Sequence, residues 1–297
     1  MRALRLLILL GAAFGLPVRG AGPDLIVCGA DEVFVIPALD GVTKKDAIWS
    51  WRAVDSPEIP EKLRNGFATT DECKPYGGNL LITSSSGGVA LVRRNDKACL
   101  FYATSKNAHS ACLLPGNLVA VASSFGADEL RIYDLGKPGL EPVGRVALFG
   151  AHGVVWDPER KVIWALGTRV LLSLRLEERG VSVQETHELP KPGGHDLSRA
   201  GEGKLFVSVD EHCFRFDCET RKFTAFEPLA DEAMVKSIDL NPATRRIVWH
   251  QGTGETWWSE TIRFLNPAGT ITLPGERLYK VRWDLPQPVP AEDLPSD

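Results

Sequence analysis

His109, His152 and His195 stand 43 residues apart, each at the head of a short apolar run: NAHSACLLPGN, GAHGVVWDPERKVIWALG and GGHDLSRAGEGKLFVSVD. Neutral imidazole is a metal ligand, and an imidazole near its ordinary pKa moves protons at physiological pH. A lone histidine beside a strand is usually a satisfied structural group, but equal spacing points to equivalent places in a repeat. The same frame continues in VKSIDLNPATRRIVWHQ, where Lys236 takes the histidine position 41 residues on, and in LYKVRWD, where Tyr279 takes it 43 further. Upstream, DECKPYGGNLLITSSS places Glu72 37 residues before His109. Glu72, His109, His152, His195, Lys236 and Tyr279 are therefore predicted to form one polar collar.

Three chemical uses suit such a collar. His109, His152 and His195 could converge on one divalent metal ion, with Glu72 or a loop carboxylate completing its shell, and the ion would polarise a substrate carboxylate or activate water. Without a metal, one histidine would move protons while Lys236 or Tyr279 stabilises an anion, which makes His109, His152, His195, Lys236 and Tyr279 the catalytic candidates. Structurally, the imidazoles would hydrogen-bond carbonyls and hold neighbouring repeats in register. The chain has no GxSxG elbow, HExxH, phosphate loop or dinucleotide fingerprint to compete with these readings.

The elements that must position the collar are strands. Stretches rich in Val, Ile, Leu, Phe and Trp are broken at short intervals by Gly, Pro, Asp or Asn, the pattern of short antiparallel strands. NLLITSSSG is followed by GVALVRR and KACLFYA, NLVAVASSFGAD by ELRIYDL and PVGRVAL, and KLFVSVDE by HCFRFDC and RKFTAFE. Four strands in each repeat of this length make a β-propeller blade. Near the N-terminus only three strands are present, DLIVCGA, EVFVIPA and AIWSWRA, while the C-terminal region offers one orphan inner strand, LYKVRWD. Together they complete a blade and leave no open sheet edge. The expected fold is all-β: a six-bladed β-propeller spanning residues 21–285 as one domain, with one composite blade closed by both ends of the chain. A β-sandwich of the same composition would not explain this closure. Residues 286–297, proline-rich and acidic, are expected to be a disordered tail, and DSPEIPEKLRNG (55–66) a surface loop.

In a propeller the loops between second and third strands share the face on which the inner strands begin. They include SSSGG (84–88), SSFGADE (123–129), VDEH (209–212) and WHQGTGETWWSE (249–260). The ligand-binding candidates are accordingly Glu72, Ser85, Ser124, Asp210, Glu211, His250, Trp257 and Trp258. The tryptophan pair could stack on a sugar ring, or pack between blades as expected for Trp49, Trp51, Trp156, Trp164 and Trp283.

Composition narrows the setting. Residues 1–20, MRALRLLILLGAAFGLPVRG, place Arg2 and Arg5 before an apolar core, which predicts a signal peptide cleaved near Gly20. The apolar run is shorter than the roughly 20 residues that span a bilayer, so the expected product is secreted or periplasmic, with no membrane insertion after cleavage. A net charge of −4 without lysine or arginine clusters excludes nucleic acid as a partner. Six cysteines without a CxxC, in a compartment that permits disulfides, are expected to be mostly buried thiols with at most one or two bridges.

DECKP, SSSGGVALV, NAHSACLLPGN, AHGVVWD, GGHDLS and VKSI, in this order across nearly the whole chain beyond the leader, resemble a family of exported bacterial β-propellers known only as a domain of unknown function. That resemblance implies a six-bladed propeller and no established activity. A weaker similarity, of architecture rather than motif, is to propeller polysaccharide lyases such as the oligogalacturonate lyases, seven-bladed enzymes that bring several histidines to a channel mouth around a divalent metal. The expectation is a ligand or metal site at the channel mouth for a small molecule or oligosaccharide, glycan fragments being the substrate class. An enzyme here would be a carbohydrate-active lyase or hydrolase. The alternative is a non-catalytic scaffold that holds an exported protein partner with its rim or top face.

Overall fold

The computed structural model describes residues 22–139, 141–177 and 180–288; the predicted leader, 1–20, and residues 289–297 of the predicted tail lie outside the described residues. Six four-stranded antiparallel sheets form the blades of a propeller. Blade 1 is the composite: its inner strand, Lys280–Trp283, pairs with Leu25–Gly29 in a register that sets Leu25 opposite Trp283 and Cys28 opposite Lys280. The inner strands of blades 2 to 6 are Thr70–Tyr76, Ala108–Leu114, Gly153–Asp157, Asp196–Gly201 and Val235–Leu240.

The strands read as apolar runs because both faces of each sheet are covered. One apolar cluster joins Ile26, Cys28, Val33 and Val35 of blade 1 to Cys73, Leu80, Ile82 and Val92 of blade 2. Another joins Leu25, Val27 and Phe34 of blade 1 to Val248, Ile262 and Phe264 of blade 6, with Trp283 between them. Outer strands face water, and no residue of Gly180–Glu188 is fully buried. Trp51, Trp156, Trp164 and Trp283 are buried as expected, and Trp49 is partly so.

The 55–66 segment is more than a surface loop. It carries a short helix, Glu61–Arg64, between 3₁₀ turns, and Ile59 is buried in the core between blades 1 and 2. Phe67 beyond it packs edge-on to Trp51 at 5.4 Å, and the Trp51 Nε1–H donates to Ser56 Oγ at 2.8 Å.

All six cysteines are buried and unbridged. Burial pushes the Cys99, Cys112 and Cys218 thiols up to about 12, so thiolate is scarce. A thiol-specific disulfide reagent should therefore label none of them rapidly in the native protein and all six after denaturation. Any fast-reacting native thiol would contradict this packing.

Below the collar the channel holds buried charge. The Arg282 guanidinium donates to Glu72 through Nε and Nη2, both at 2.9 Å, and to Asp196 through Nη1 at 3.0 Å and Nη2 at 2.6 Å. Lys280 Nζ donates to Asp196 Oδ1 at 3.0 Å. Lys74 Nζ donates to Ser110 Oγ and to the carbonyls of Ala111 and Val154. Burial opposes the charge on Glu72, but Arg282, Lys280 and Lys74 hold its carboxyl well below the usual carboxylate range. The closing strand thus donates two cations to carboxylates from blades 2 and 5.

Candidate functional site

The collar is set by strand irregularities as much as by the repeat. At the start of three inner strands the register slips by one residue: between Thr70 and Glu72, between Ala108 and Ser110, and between Val235 and Ser237. Such bulges leave one residue unpaired and re-aim its side chain. Those residues are Asp71, His109 and Lys236. Asp71, and not Glu72, is therefore the equivalent of the histidines. Glu72 lies one step deeper, fully buried against Arg282, because successive side chains on a strand point opposite ways. In blades 4, 5 and 1, His152, His195 and Tyr279 sit just before their inner strands.

Two glycines let these loops approach. Gly193 has φ +89, and a side chain there would run into the Asp210 carboxylate. Gly150 has φ +58, and a Cβ would strike Thr168 Oγ1. Gly193 N–H donates to the Thr168 carbonyl at 2.7 Å and Thr168 N–H to that of Phe149 at 3.0 Å, so a loop of blade 4 ties together the connectors that enter blades 4 and 5.

A cavity of about 630 Å³ opens over the channel mouth. Asp71, His109, His152, His195, Lys236 and Tyr279 line it together, joined by Ser85, Asp210, Trp257 and Trp258. The rings form a continuous arc, with centroid separations of 6.0 Å from Tyr279 to His109, 4.3 Å from His109 to His152, 5.5 Å from His152 to His195 and 6.5 Å from His195 to Trp257. Trp257 is 63% exposed, so it does not pack between blades. Lys236 Nζ lies 4.6 Å from its ring centroid, and the Arg277 guanidinium 5.2 Å from that of Trp258.

Hydrogen bonding assigns the imidazole tautomers. The Nδ1–H groups of His109 and His152 donate to the carbonyls of Asn107 at 3.1 Å and Gly150 at 2.8 Å, with Ser124 Oγ 3.0 Å from the same His152 nitrogen. Each Nε2 is left as an acceptor. Burial lowers His109 to about 3 and His152 well below its ordinary value, so both are neutral at physiological pH. Burial also lowers His195, which donates from Nε2 to Asp210 Oδ1 at 2.8 Å. Lys236 Nζ is 3.1 Å from His195 Nε2 and 3.4 Å from Nδ1, and burial brings its amine down to about 7. Burial pushes Asp71 up to about 7, against the backbone N–H of Ser85, which donates to its Oδ2. His109 Nε2 faces Asp71 Oδ1 at 3.9 Å. A carboxyl and an amine, both brought to neutrality, thus share one cavity, as tuned acid–base groups do.

The three imidazoles are not arranged as the expected metal triad. Among the described residues, no three His, Cys, Asp or Glu side chains are placed to hold a metal ion. The imidazoles pack ring against ring rather than converging, and the third has its Nε2 committed to Asp210 beside the Lys236 amine. Three other expectations also miss the cavity, the first being Ser124, which is fully buried beside His152 Nδ1. Strand pairing in blade 6 runs through Gln251, so His250 lies within the sheet, fully buried, with Nδ1–H donating to the Thr261 carbonyl at 3.1 Å. Glu211 is exposed in its turn and does not line the cavity, whereas its neighbour Asp210 does. Asp71, Phe125 and Arg277 were missed; Phe125 stood in a loop already aimed at the mouth, and its ring lies 5.7 Å from His152.

The model for a family described as "Family of unknown function (DUF6528)" matches residues 32–289. No curated protein matches the chain. Among solved structures, hydrazine synthase of Kuenenia stuttgartiensis is similar at a TM-score of 0.51 and 11% identity, over 68% of this chain. This chain spans 64% of that protein's length, and the likeness is one of fold alone. No helix among the described residues is long and apolar enough to cross a membrane.

Proposed function

We propose, from the premise that this chain belongs to the DUF6528 family and inherits from it a fold without an assigned chemistry, that its channel mouth is a binding site with acid–base capacity for a polar, ring-shaped, anionic ligand, a uronic-acid glycan fragment being the class that fits best. The observation that carries this reading is the open cavity itself: six collar groups from six blades, two of them tuned toward neutrality, beneath an aromatic wall. Mostly apolar walls with a few convergent polar groups characterise small-molecule sites. Trp257 offers a face for a sugar ring, while Arg277 supplies positive charge for a carboxylate. His109 and His152 would accept hydroxyl protons through Nε2, and Asp71 and Lys236 would exchange protons with the ligand. The predicted leader belongs to the same proposal: an exported protein meets extracellular or periplasmic glycans. An open mouth favours this reading over a scaffold, which would fill the mouth with side chains.

Calorimetric titration with short oligogalacturonates tests it. Trp257 is exposed, so Trp257→Ala should leave the fold intact and weaken binding at least about tenfold, the usual cost of removing an aromatic anchor. Equal affinity in wild type and variant, or no heat from any uronate, would overturn the reading.

A further inference from the structure

Lys236 is buried, and its sole hydrogen-bond partner among the described residues is the imidazole of His195. Among the described residues no carboxylate lies within 4.0 Å of its amine, whereas buried lysines normally lie beside a counter-ion. The channel's other buried lysines obey that rule: Lys74 and Lys280 both lie within 4.0 Å of Glu72, and Lys280 also meets Asp196. Asp210, the acid nearest to hand, is engaged by His195 Nε2 at 2.8 Å. Lys236 therefore lines the cavity as a shielded amine with the uncommitted Nδ1 of His195 3.4 Å away as a proton carrier and the Trp257 face 4.6 Å above it.

We propose that Lys236 is an imine-forming nucleophile for carbonyl compounds that carry a carboxylate, such as the open-chain form of a sugar acid, an inference that rests on the small-molecule reading of this cavity. The amine nitrogen attacks the carbonyl carbon and the C=O π pair moves to oxygen. A proton passes from the nitrogen, by way of His195, to that oxygen and gives a carbinolamine. The nitrogen lone pair then expels the hydroxyl, which leaves as water with a proton given up by His195, and His195 recovers that proton from the iminium N–H, which gives the neutral imine. One amine and one carbonyl thus yield one imine and one water, with no oxidant or reductant consumed. Arg277, on the cavity wall with the Trp258 face as its partner, is placed to receive the carboxylate.

Burial is what favours the neutral amine; the Asp210 charge opposes it, and Lys280 in the channel adds to it more weakly. His195, His109 and His250 face it as lowered imidazoles and add no positive charge at neutral pH. A lysine amine at its ordinary value is only about 0.04% unprotonated at pH 7.

Glyoxylate, which has both an aldehyde and a carboxylate, is the probe. Full-length protein is incubated with it and cyanoborohydride at pH 7, and the reduced adducts are located by peptide mass mapping. Lys236 should be modified at least about 100-fold faster than the exposed Lys137. His195→Gln should slow that modification while leaving Lys137 unchanged. Modification of Lys236 no faster than of Lys137 in the wild type would overturn the proposal, and so would a His195→Gln rate equal to the wild type. Oligogalacturonate binding in the same preparation separates the two readings: binding without rapid Lys236 modification refutes the nucleophile and keeps the site.

Discussion

Arg282→Ala is expected to destabilise the fold by about 3–5 kcal/mol, the usual cost of removing one partner from a buried ion network. The variant leaves Glu72 and Asp196 buried, each deprived of a two-point contact to the guanidinium. Lys280 alone cannot compensate both carboxylates, since its closer contact is Asp196 at 3.0 Å and Glu72 is 3.4 Å away. Burial opposes charge on Arg282, yet Asp196 and Glu72 hold its guanidinium well above the ordinary value, so it is fully charged at any accessible pH. The residue also lies in the strand that closes the ring, opposite Ile26. Urea denaturation at pH 7 measures the loss, and hydrogen exchange should show the Leu25–Gly29 strand opening first. A triple variant that adds Glu72→Gln and Asp196→Asn should recover part of the stability, because the orphaned charges are then gone. A loss below about 1 kcal/mol would mean that the carboxylates find other partners or water.

Lys236→Met should have the opposite sign. Burial lowers the folded amine from its ordinary value of 10.5 to about 7. Between those values the unfolded chain holds a proton that the folded chain lacks, so this lysine's contribution to stability rises with pH from about 7 to 10.5. Below pH 7 the deficit is at its full size. A shift of this size corresponds to at most about 5 kcal/mol. Methionine keeps the length of the stem against Trp257 and removes the amine. Lys236→Met is therefore expected to be several kcal/mol more stable than wild type at pH 6. The gap should narrow through pH 8 and nearly close by pH 10. Urea midpoints at these three pH values decide the matter, and a pH-independent gap or a less stable variant would refute it. A stabilising change at a cavity-lining residue is what a site held under strain for function leads one to expect.

Asp71 and Glu72 show where sequence reading stops. Both acids stand in TDEC at the head of an inner strand, and the interval to His109 cannot say which one reaches the mouth. A bulge does so, by shifting the register one residue and thereby exchanging the two faces of the strand. The same limit explains His250: the composition of its loop gave no sign that pairing would continue through Gln251 and draw the histidine into the sheet. It also explains the metal expectation, since equal spacing brings three imidazoles to one place without fixing their ring angles or which nitrogens are already engaged.

The sequence by itself determined the repeat, the six blades, the closure of the first blade by the last strand and the meeting of the histidines with Lys236 and Tyr279 at one mouth. These follow from periodicity and strand patterning, which are written along the chain and survive small errors of register. Tertiary structure alone decided that Asp71 replaces Glu72 in the collar, that Arg282 binds two carboxylates from distant blades, and that Lys236 is left with His195 as its partner. Those outcomes depend on one-residue register, on burial and on which charges lie within a few ångströms. All three arise only when segments far apart in sequence are packed together, and burial then sets the protonation states.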